Sequence, residues 1–334
     1  MTPERAVGQS RVTVGVAVRE TATVIVGSHI RTRGGLPSVV TGAEAIGAEA
    51  VQFFASNPRM WRPPAIAEDA AGAFREDCRR AGIGSTYLHA PYLVNIASPN
   101  PQFHRRSVEL SRASLAAAEA LGARGLVVHA GAGGPGEPAE ALARAAAALE
   151  KIAALGTHAH VSVELMAGSR GAVASTVDEA VRLFEAVPNH ERLRLCLDTC
   201  HLFAAGYALD EPDGVGECFA ELQRSGLASR LVLIHANDAA FARGSRRDRH
   251  ANVGQGEIGR VGFGAILRRP EVRGCTVVCE TPGDEEAHRR DIATLKDLAA
   301  PSPGASGGDG GTPRPEASRA SGAAPGARGS GAPR

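Results

Sequence analysis

The chain has 334 residues, of which 43% are hydrophobic and 22% are charged, so most of it can bury a core as large as that of one sizeable domain. Its 37 basic and 36 acidic side chains leave a formal net charge of +1. This balance excludes a polycation, an acidic tail protein and a wholly disordered chain. It does not exclude nucleic acid as a partner, because affinity for phosphate depends on local charge rather than on the sum.

The two ends of the chain differ in composition from the segment between them. Residues 301–334 contain no Val, Ile, Leu, Met, Phe, Tyr, Trp or Cys. Such a segment cannot bury enough apolar surface to offset the entropy that it would lose on ordering. We therefore predict a flexible N-terminal extension at residues 1–22, a single folded domain at 23–299 and a disordered tail at 300–334.

Eight short, β-branched apolar runs predict buried parallel strands, because each run is too short for a buried helix. In chain order they are Thr23–Ile30, Ala50–Ala55, Thr86–His89, Gly125–His129, His160–Leu165, Arg194–Asp198, Leu231–His235 and Thr276–Glu280. Amphipathic stretches between them predict helices, among them Phe103–Leu121, Pro138–Leu155, Thr176–Val187 and Asp284–Leu298.

Alternation of eight strands with helices predicts an α/β fold of the (β/α)8 TIM barrel type. An open, doubly wound sheet is the alternative. The glycine-rich stretch at 131–134 argues against a dinucleotide-binding version of that sheet, because it lacks the G-x-G-x-x-G order and follows the fourth strand.

Six cysteines occur without any C-x-x-C pair, and most lie in apolar runs where cysteine behaves as a small hydrophobe. We interpret them as reduced core thiols in a reducing compartment. No apolar stretch reaches the ~18 residues of a membrane span. The sequence therefore predicts a cytoplasmic protein.

Six consecutive predicted strands end in ionisable side chains of the kinds that bind metals. In a parallel barrel, the carboxyl ends of the strands meet at one mouth, where catalytic residues lie. So many buried ionisable groups would be costly without partners, and bound cations remove that cost. The residues are His89, His129, Glu164, Asp198 with the nearby His201, His235 and Glu280.

The loop after the seventh predicted strand adds Asp248 and His250. Because residues i and i+2 of an extended segment project to the same side, these two side chains can coordinate one ion. The complete set is five histidines, two aspartates and two glutamates. A mixed nitrogen and oxygen set suits Zn²⁺, with Mn²⁺ or Fe²⁺ as substitutes. Nine ligands are too many for one ion and about right for three.

These residues lie in motifs that resemble the endonuclease IV family of apurinic/apyrimidinic (AP) endonucleases, within the xylose isomerase-like TIM barrels. The resemblance runs from about Val24 to Leu298. Its motifs are Gly27-Ser28-His29 with Gly34-Gly35-Leu36, His89-Ala90-Pro91-Tyr92-Leu93-Val94-Asn95, Leu195-Cys196-Leu197-Asp198-Thr199-Cys200-His201, His235-Ala236-Asn237-Asp238, Asp248-Arg249-His250 with Gly254-Gln255-Gly256, and Glu280-Thr281-Pro282.

The resemblance implies three Zn²⁺ per chain, with Glu164 as the catalytic carboxylate that bridges the first two. The implied ligand sets are His89, His129 and Glu164 for the first ion, Glu164, Asp198, His235 and Glu280 for the second, and His201, Asp248 and His250 for the third. It further implies a monomeric enzyme of base excision repair. Its substrate would be double-stranded DNA, cut 5′ to an abasic site to leave a 3′-hydroxyl and a 5′-deoxyribose phosphate, with removal of 3′ blocking groups as a related activity.

Reaction at a sugar-phosphate inside a duplex requires a kinked helix and an extruded nucleotide. The family-like segment Phe54–Trp61 would enter the minor groove, with Asn57 and Arg59 as contacts. We expect Tyr92 and Leu93 to enter the base stack. Phosphate contacts are expected from Arg247 and Arg249, for which a solvated charge run is the alternative.

The sequence departs from the family pattern at three places. Pro58 stands where a polar residue that fills the gap in the DNA is common, so this wedge is expected to be weaker. Leu165 and Met166 replace small polar residues after Glu164, which is expected to alter support of that carboxylate. Gln255 replaces an acidic residue between two glycines, with little expected effect.

Two other functions are compatible with parts of this pattern. A metal-dependent sugar isomerase or epimerase on the same barrel is the first alternative, but it would need only one or two metals. A DNA-binding protein without catalysis is the second, and the complete ligand set disfavours it.

Overall fold

The computed structural model describes residues 24–188 and 190–300. Eight parallel strands close into a barrel with helices between them, which confirms the predicted TIM barrel and excludes the open sheet. The predicted N-terminal extension and C-terminal tail lie outside the described residues.

Each barrel strand pairs in parallel with its neighbours, and the last strand closes the barrel against the first. A short antiparallel pair, β8 (Asp238–Ala239) and β9 (His250–Ala251), lies outside the barrel sheet. The barrel strands are β1 (Ile25–His29), β2 (Ala50–Phe53), β3 (Ser85–His89), β4 (Gly125–His129), β5 (His160–Glu164), β6 (Leu193–Asp198), β7 (Leu231–His235) and β10 (Thr276–Cys279).

The four helices for which the sequence predicts ranges are confirmed, and each observed helix begins and ends within two residues of its predicted limits. Local signals explain several of their starts: the Asn100 side chain accepts two backbone N–H groups at the start of one helix, and Thr176 and Glu179 form a capping box at another. The helices are α1 (Leu36–Ile46), α2 (Glu68–Arg80), α3 (Pro101–Ala120), α4 (Pro138–Ala153), α5 (Val177–Glu185), α6 (Thr199–Ala205), α7 (Pro212–Arg224), α8 (Gly259–Leu267) and α9 (Glu285–Ala299).

The core has two parts, because successive strand residues point to opposite faces. Outward-facing side chains such as Val51 and Phe53 join the large cluster beneath the helices. A separate, smaller cluster belongs to the inward faces of the strands. Its members each lie two residues before a predicted metal ligand, and they are Tyr87, Val127, Cys196, Leu233 and Val278.

This two-residue offset determines where the predicted ligands lie. A strand residue and the residue two positions later point to the same side. The ligands that end β3, β4, β6 and β7, together with Glu280 directly after β10, therefore form the next inward layer above the apolar one. The barrel interior therefore has a layer of polar side chains at its mouth and a layer of apolar side chains beneath it.

All six cysteines are buried and free, in agreement with their interpretation as reduced core thiols. Among the described residues, no helix has both the length and the apolar character needed to cross a membrane.

Gly27 makes the pairing of β1 with β2 sensitive to a single methyl group. A Cβ at this position would lie 1.9 Å from the carbonyl oxygen of its register partner, Ala50. We expect Gly27→Ala to lower the free energy of unfolding by about 1–3 kcal/mol or more, because backbone of an adjacent strand must move. Urea unfolding followed by circular dichroism measures this loss.

The matched control is Gly84→Ala, whose Cβ would come no closer than 3.9 Å to Ile25 Cδ1. This variant should stay within about 0.5 kcal/mol of the wild type. Equal unfolding midpoints for the two variants would show that the close approach of Gly27 to Ala50 does not determine the stability of the barrel.

Candidate metal centre

A cavity of about 700 Å³ opens at the carboxyl ends of the barrel strands. Seven of the nine predicted ligands line it. The other two, Asp198 and His235, are fully buried and contact the lining residues. The structure therefore brings together all the residues that the sequence assigns to one metal centre.

Glu164 lies at the middle of this centre and is completely buried. Its Oε2 atom is 3.1 Å from Nε2 of His89 and 3.1 Å from Nε2 of His129. Its Oε1 atom is 3.2 Å from Nδ1 of His235 and 3.4 Å from Nδ1 of His201. The two oxygens thus face different groups of histidines, as a bridging carboxylate requires.

The second group surrounds His235. Nδ1 of this ring lies 3.3 Å from Glu280 Oε2 and 3.9 Å from Asp198 Oδ2. These atoms, together with a Glu164 oxygen, lie within 4.8 Å of one another.

The third group forms where the β9 segment approaches the start of α6. Nε2 of His201 is 3.3 Å from Asp248 Oδ2, and Nε2 of His250 is 3.2 Å from Asp248 Oδ1. Nε2 of His250 is buried, yet it makes no hydrogen bond of good geometry with any described residue. Buried polar atoms of this kind normally have a partner, so the atom marks a place where a ligand fits.

The donor set agrees with three cations in both chemistry and spacing. Ligand atoms about 2.0–2.2 Å from a tetrahedral zinc lie roughly 3.3–3.6 Å apart. The histidine–carboxylate contacts within the three groups measure 3.1 to 3.9 Å, and all the ligand atoms of each group lie within 4.8 Å of one another. The residues present therefore fit the predicted ions without rearrangement of the backbone.

Glu164 and Glu280 are ionised despite their burial. Burial by itself raises the pKa of Glu164, but the charges of His129 and His235 outweigh it and hold that pKa well below the usual value. Burial likewise opposes ionisation of Glu280, whose pKa is lowered by His235 and His29. The centre consequently carries concentrated negative charge that requires positive partners.

In the absence of metal, protonated histidines supply that positive charge. Burial lowers the pKa of His201 and His250, but the negative charges of Asp198 and Asp248 beside the two rings reverse the effect. The resulting pKa values are about 10 for His201 and about 9 for His250. A cation in the third group would replace these ring protons.

The outer nitrogen of three histidines is held by a backbone carbonyl. Nδ1 donates to Ala90 O in His89, at 2.7 Å, and to Leu165 O in His201, at 2.8 Å. In His250 it donates to Glu280 O at 3.1 Å. Each bond leaves Nε2 free to face a carboxylate, which is the arrangement that orients histidine ligands in metal sites.

The departure at Leu165 and Met166 has little room to disturb this support. Leu165 is fully buried in the outer core, and the N–H of Met166 donates to Ala174 O at 2.7 Å. The contact to His201 uses the carbonyl of Leu165 rather than its side chain. The side chains of Leu165 and Met166 make no contact with Glu164 among those described, so the structure gives no reason to expect that they alter how this carboxylate is held.

Sequence reasoning missed two amides that hold the ligands. Nδ2 of Asn237 donates to Asp198 Oδ2 at 2.7 Å, and its Oδ1 accepts the N–H of Glu280 at 2.7 Å. Gln52 of β2 contacts His235 and Glu280 from the barrel interior. Asn237 lies in a quoted motif, whereas the only signal for Gln52 is a polar residue at an inward position of an apolar strand.

The segment predicted to enter the minor groove forms a tight turn at the cavity rim. The N–H of Met60 donates to Asn57 O at 3.1 Å, and the N–H of Arg59 donates to Asn57 Oδ1 at 3.0 Å. Pro58 occupies the second position of this turn, where its restricted φ favours the observed backbone. Asn57 and Arg59 line the cavity and remain exposed.

The other predicted DNA contacts divide between the rim and the surface beyond it. Tyr92 lines the cavity with 65% of its surface exposed and packs edge-on against Phe54 at 4.9 Å. Leu93, Arg247 and Arg249 are not among the described residues that line the cavity. The Arg247 guanidinium lies over the Phe241 ring, 4.0 Å from its centroid.

Two further arginines line the cavity and were missed. Arg31 and Arg33 follow β1, and both side chains are exposed at the rim. Together with Arg59 they give this side of the mouth positive charge. Nothing in the sequence distinguishes them from the many arginines elsewhere, because only the fold places the first loop beside the second.

Comparison with known proteins agrees with this geometry. The family model of the xylose isomerase-like TIM barrels matches residues 40–298. A protein named "Probable endonuclease 4" from Streptomyces coelicolor is 41% identical over 278 residues, which cover 82% of this chain and 94% of the relative. The protein of the same name from Chloroflexus aurantiacus is 36% identical over 277 residues, covering 81% and 97%.

Solved structures give the same result. Endonuclease IV from Thermus thermophilus aligns with a TM-score of 0.72 and 30% identity, covering 82% of this chain and 98% of that one. A D-tagatose 3-epimerase-like protein aligns with a TM-score of 0.64 at 19% identity, covering 81% and 96%. The latter similarity shows the fold alone.

Removal of metal should make stability depend on pH in the alkaline range. The pKa values of His201 and His250, about 10 and about 9, exceed the ordinary value of 6.5. Their contribution is therefore complete below about pH 6.5 and is lost as pH rises through 9 to 10. We expect the Tm of chelator-treated protein to fall between pH 7 and 10.

The double variant His201→Gln/His250→Gln should show a flatter Tm profile over the same range. His104→Gln, which alters a histidine outside the cavity, should retain the wild-type slope. A profile that is equally flat in metal-free wild type and in the double variant would contradict the assignment.

Proposed function

Because the chain belongs to the endonuclease IV family of the xylose isomerase-like TIM barrels, we propose that it is a metal-dependent AP endonuclease of base excision repair. It hydrolyses the phosphodiester 5′ to an abasic site in double-stranded DNA and leaves a 3′-hydroxyl and a 5′-deoxyribose phosphate. Removal of 3′ blocking groups is a second reaction of the same site. The proposal includes a monomeric, cytoplasmic enzyme.

The observation that supports the proposal is that nine side chains can be assigned to three of five overlapping groups of potential ligands, and two of these three share Glu164. The other two groups each include a cysteine, Cys196 or Cys200, and burial raises the pKa of both thiols and so disfavours the thiolate that would bind a metal. We assign one Zn²⁺ to each group, with Mn²⁺ or Fe²⁺ as substitutes, because the donors are imidazoles and carboxylates. When bound, the ions supply an activated water at neutral pH and stabilise charge on the leaving 3′-oxygen. The ligand sets are His89, His129 and Glu164; Glu164, Asp198, His235 and Glu280; and His201, Asp248 and His250.

The protein's own residues position the substrate. Arg59 lies in a turn that two hydrogen bonds to Asn57 stabilise. Because the backbone of this turn is already ordered, insertion of Arg59 into the minor groove costs little backbone entropy. Tyr92 is braced by Phe54 and, with Leu93, separates the bases beside the abasic nucleotide. The Arg247 guanidinium lies over the ring of Phe241, and we assign its N–H groups to a phosphate of the DNA, with Arg249 as a second phosphate contact.

The sugar epimerase alternative has the fold in its favour, since epimerase structures align with this barrel. The third group, formed by His201, Asp248 and His250, is the feature that an enzyme with one or two metals would not need. Metal analysis of the purified protein separates the two functions. About three ions per chain support the nuclease, and one or two favour the epimerase.

Incision of a duplex with one synthetic abasic site tests the function directly. We expect Glu164→Gln to abolish incision, with a loss of at least several hundredfold, because a neutral amide cannot bridge two cations. Gel analysis of the labelled strand, with and without chelator, measures the effect. Circular dichroism confirms that the variant is folded.

Glu44→Gln removes an exposed carboxylate on α1 and should leave incision unchanged. Failure of the metal-replete wild type to cut the duplex would refute the proposed activity. Near-normal cutting by Glu164→Gln would refute the bridging role alone.

The rim arginines should determine how strongly salt weakens DNA binding. Each phosphate contact contributes about 0.9 to the slope of log affinity against log salt concentration. We expect Arg31→Ala/Arg33→Ala to reduce that slope by roughly 1 to 2, measured by fluorescence anisotropy with abasic duplex at several salt concentrations.

Arg224→Ala/Arg273→Ala makes the same change of charge at the opposite end of the barrel, where α7 ends and β10 begins. It should leave the slope near the wild-type value. Equal slopes for the two double variants would show that the first loop does not contact the phosphates.

A further inference from the structure

Gln52 is a buried amide in the wall of the metal centre, and nothing in the proposed chemistry assigns it a role. It lies on β2 between Val51 and Phe53, whose side chains point outward into the core beneath the helices. Its own side chain points inward and is completely buried. A buried primary amide is costly unless its donors and acceptor are satisfied, so its contacts are informative.

Both ends of the amide are bound to predicted ligands of the second metal. Nε2 of His235 donates to Gln52 Oε1 at 2.9 Å. Nε2 of Gln52 donates to Glu280 Oε1 at 2.6 Å and lies 3.1 Å from Nδ1 of His29. One side chain thus connects a ligand histidine on β7 with a ligand carboxylate that follows β10.

The contact to His235 differs from the contacts of the other ligand rings. His89, His201 and His250 each donate from Nδ1 to a backbone carbonyl and present Nε2 to the centre. His235 presents Nδ1 to the centre, and its Nε2 is held by a side chain. Its orientation therefore depends on a residue that can be changed without altering the backbone.

The amide can adopt only one orientation. A rotation by 180° would place the amide oxygen against the Glu280 carboxylate, so that contact would become repulsive whichever tautomer His235 adopts. In the observed orientation, Oε1 can only accept, so Nε2 of His235 carries a proton, and Nδ1 is the nitrogen that can exchange its proton for a cation. The bond to Glu280 occupies Oε1 and leaves Oε2 facing His235 at 3.3 Å.

We propose that Gln52 is a positioning residue of the second metal site. It fixes His235 as the Nε2–H tautomer and holds Glu280 so that one oxygen is free for the cation. This inference rests on the proposed function, because it takes the second group to be a metal site. Its test therefore measures zinc binding and the histidine tautomer rather than DNA cleavage.

The test uses Gln52→Met, which has nearly the same size but can neither donate nor accept these hydrogen bonds. Wild type and variant are loaded with zinc and titrated with a competing chelator, and the ions retained per chain are counted. We expect one of the three ions to bind about 10 to 100 times more weakly in the variant, while the other two behave as in the wild type.

Val51→Ala is the matched control on the same strand. It removes outward-facing bulk from the core and lowers stability without touching a ligand, so it should keep all three zinc affinities. Loss of zinc in Val51→Ala to the same extent as in Gln52→Met would overturn the proposal, because a merely loosened strand would then explain the effect.

A measurement on the wild type does not depend on the folding of any variant. Long-range ¹H–¹⁵N spectra of zinc-loaded, histidine-labelled protein distinguish the two tautomers of each ring. We expect a protonated Nε2 for His235 and a protonated Nδ1 for His89, His201 and His250. A protonated Nδ1 on His235 overturns the proposal. Wild type that binds no zinc refutes the metal centre itself, whereas intact zinc binding and incision in Gln52→Met refute only the role of Gln52.

Discussion

The rest of the centre depends on one constraint, which is the complete burial of the Glu164 carboxylate. A charge in that position is unfavourable unless positive groups surround it. Four histidines contact its two oxygens, and the charges of two of them, His129 and His235, hold its pKa well below the usual value. The neighbouring rings are therefore a condition for the fold at this end of the barrel, and a cation that took the place of their protons would meet the same requirement.

The barrel can satisfy that constraint because of the two-residue period of its strands. An inward residue of the apolar layer and the ligand two positions later point in the same direction. The apolar layer excludes water from below, which strengthens every electrostatic contact in the polar layer above. A shift of register by one residue would point the ligands at the helices, so the closed barrel and the centre are specified together.

The same period explains what could be predicted from the sequence. His89, His129, His235 and the acids at strand ends were recognisable because chemistry-bearing residues at the ends of apolar runs must converge in a parallel barrel. Asp248 and His250 were recognisable as a pair through their spacing, and the structure places them 3.2 Å apart. Gln52, Arg31 and Arg33 were not recognisable, because their importance depends on which strands and loops become neighbours, and a single polar residue in an apolar strand has many explanations.

The net charge of +1 acquires a different meaning once the acids are located. Four of the carboxylates belong to the centre and would be matched by cations rather than by the basic side chains of the surface. Three divalent ions exceed those four carboxylates in charge, so the loaded mouth would be positive although the chain is nearly neutral. Arg31, Arg33 and Arg59 extend that positive region along the rim. A nearly neutral chain can therefore present a local field that attracts a DNA backbone, with the metals rather than an excess of basic residues as its main source.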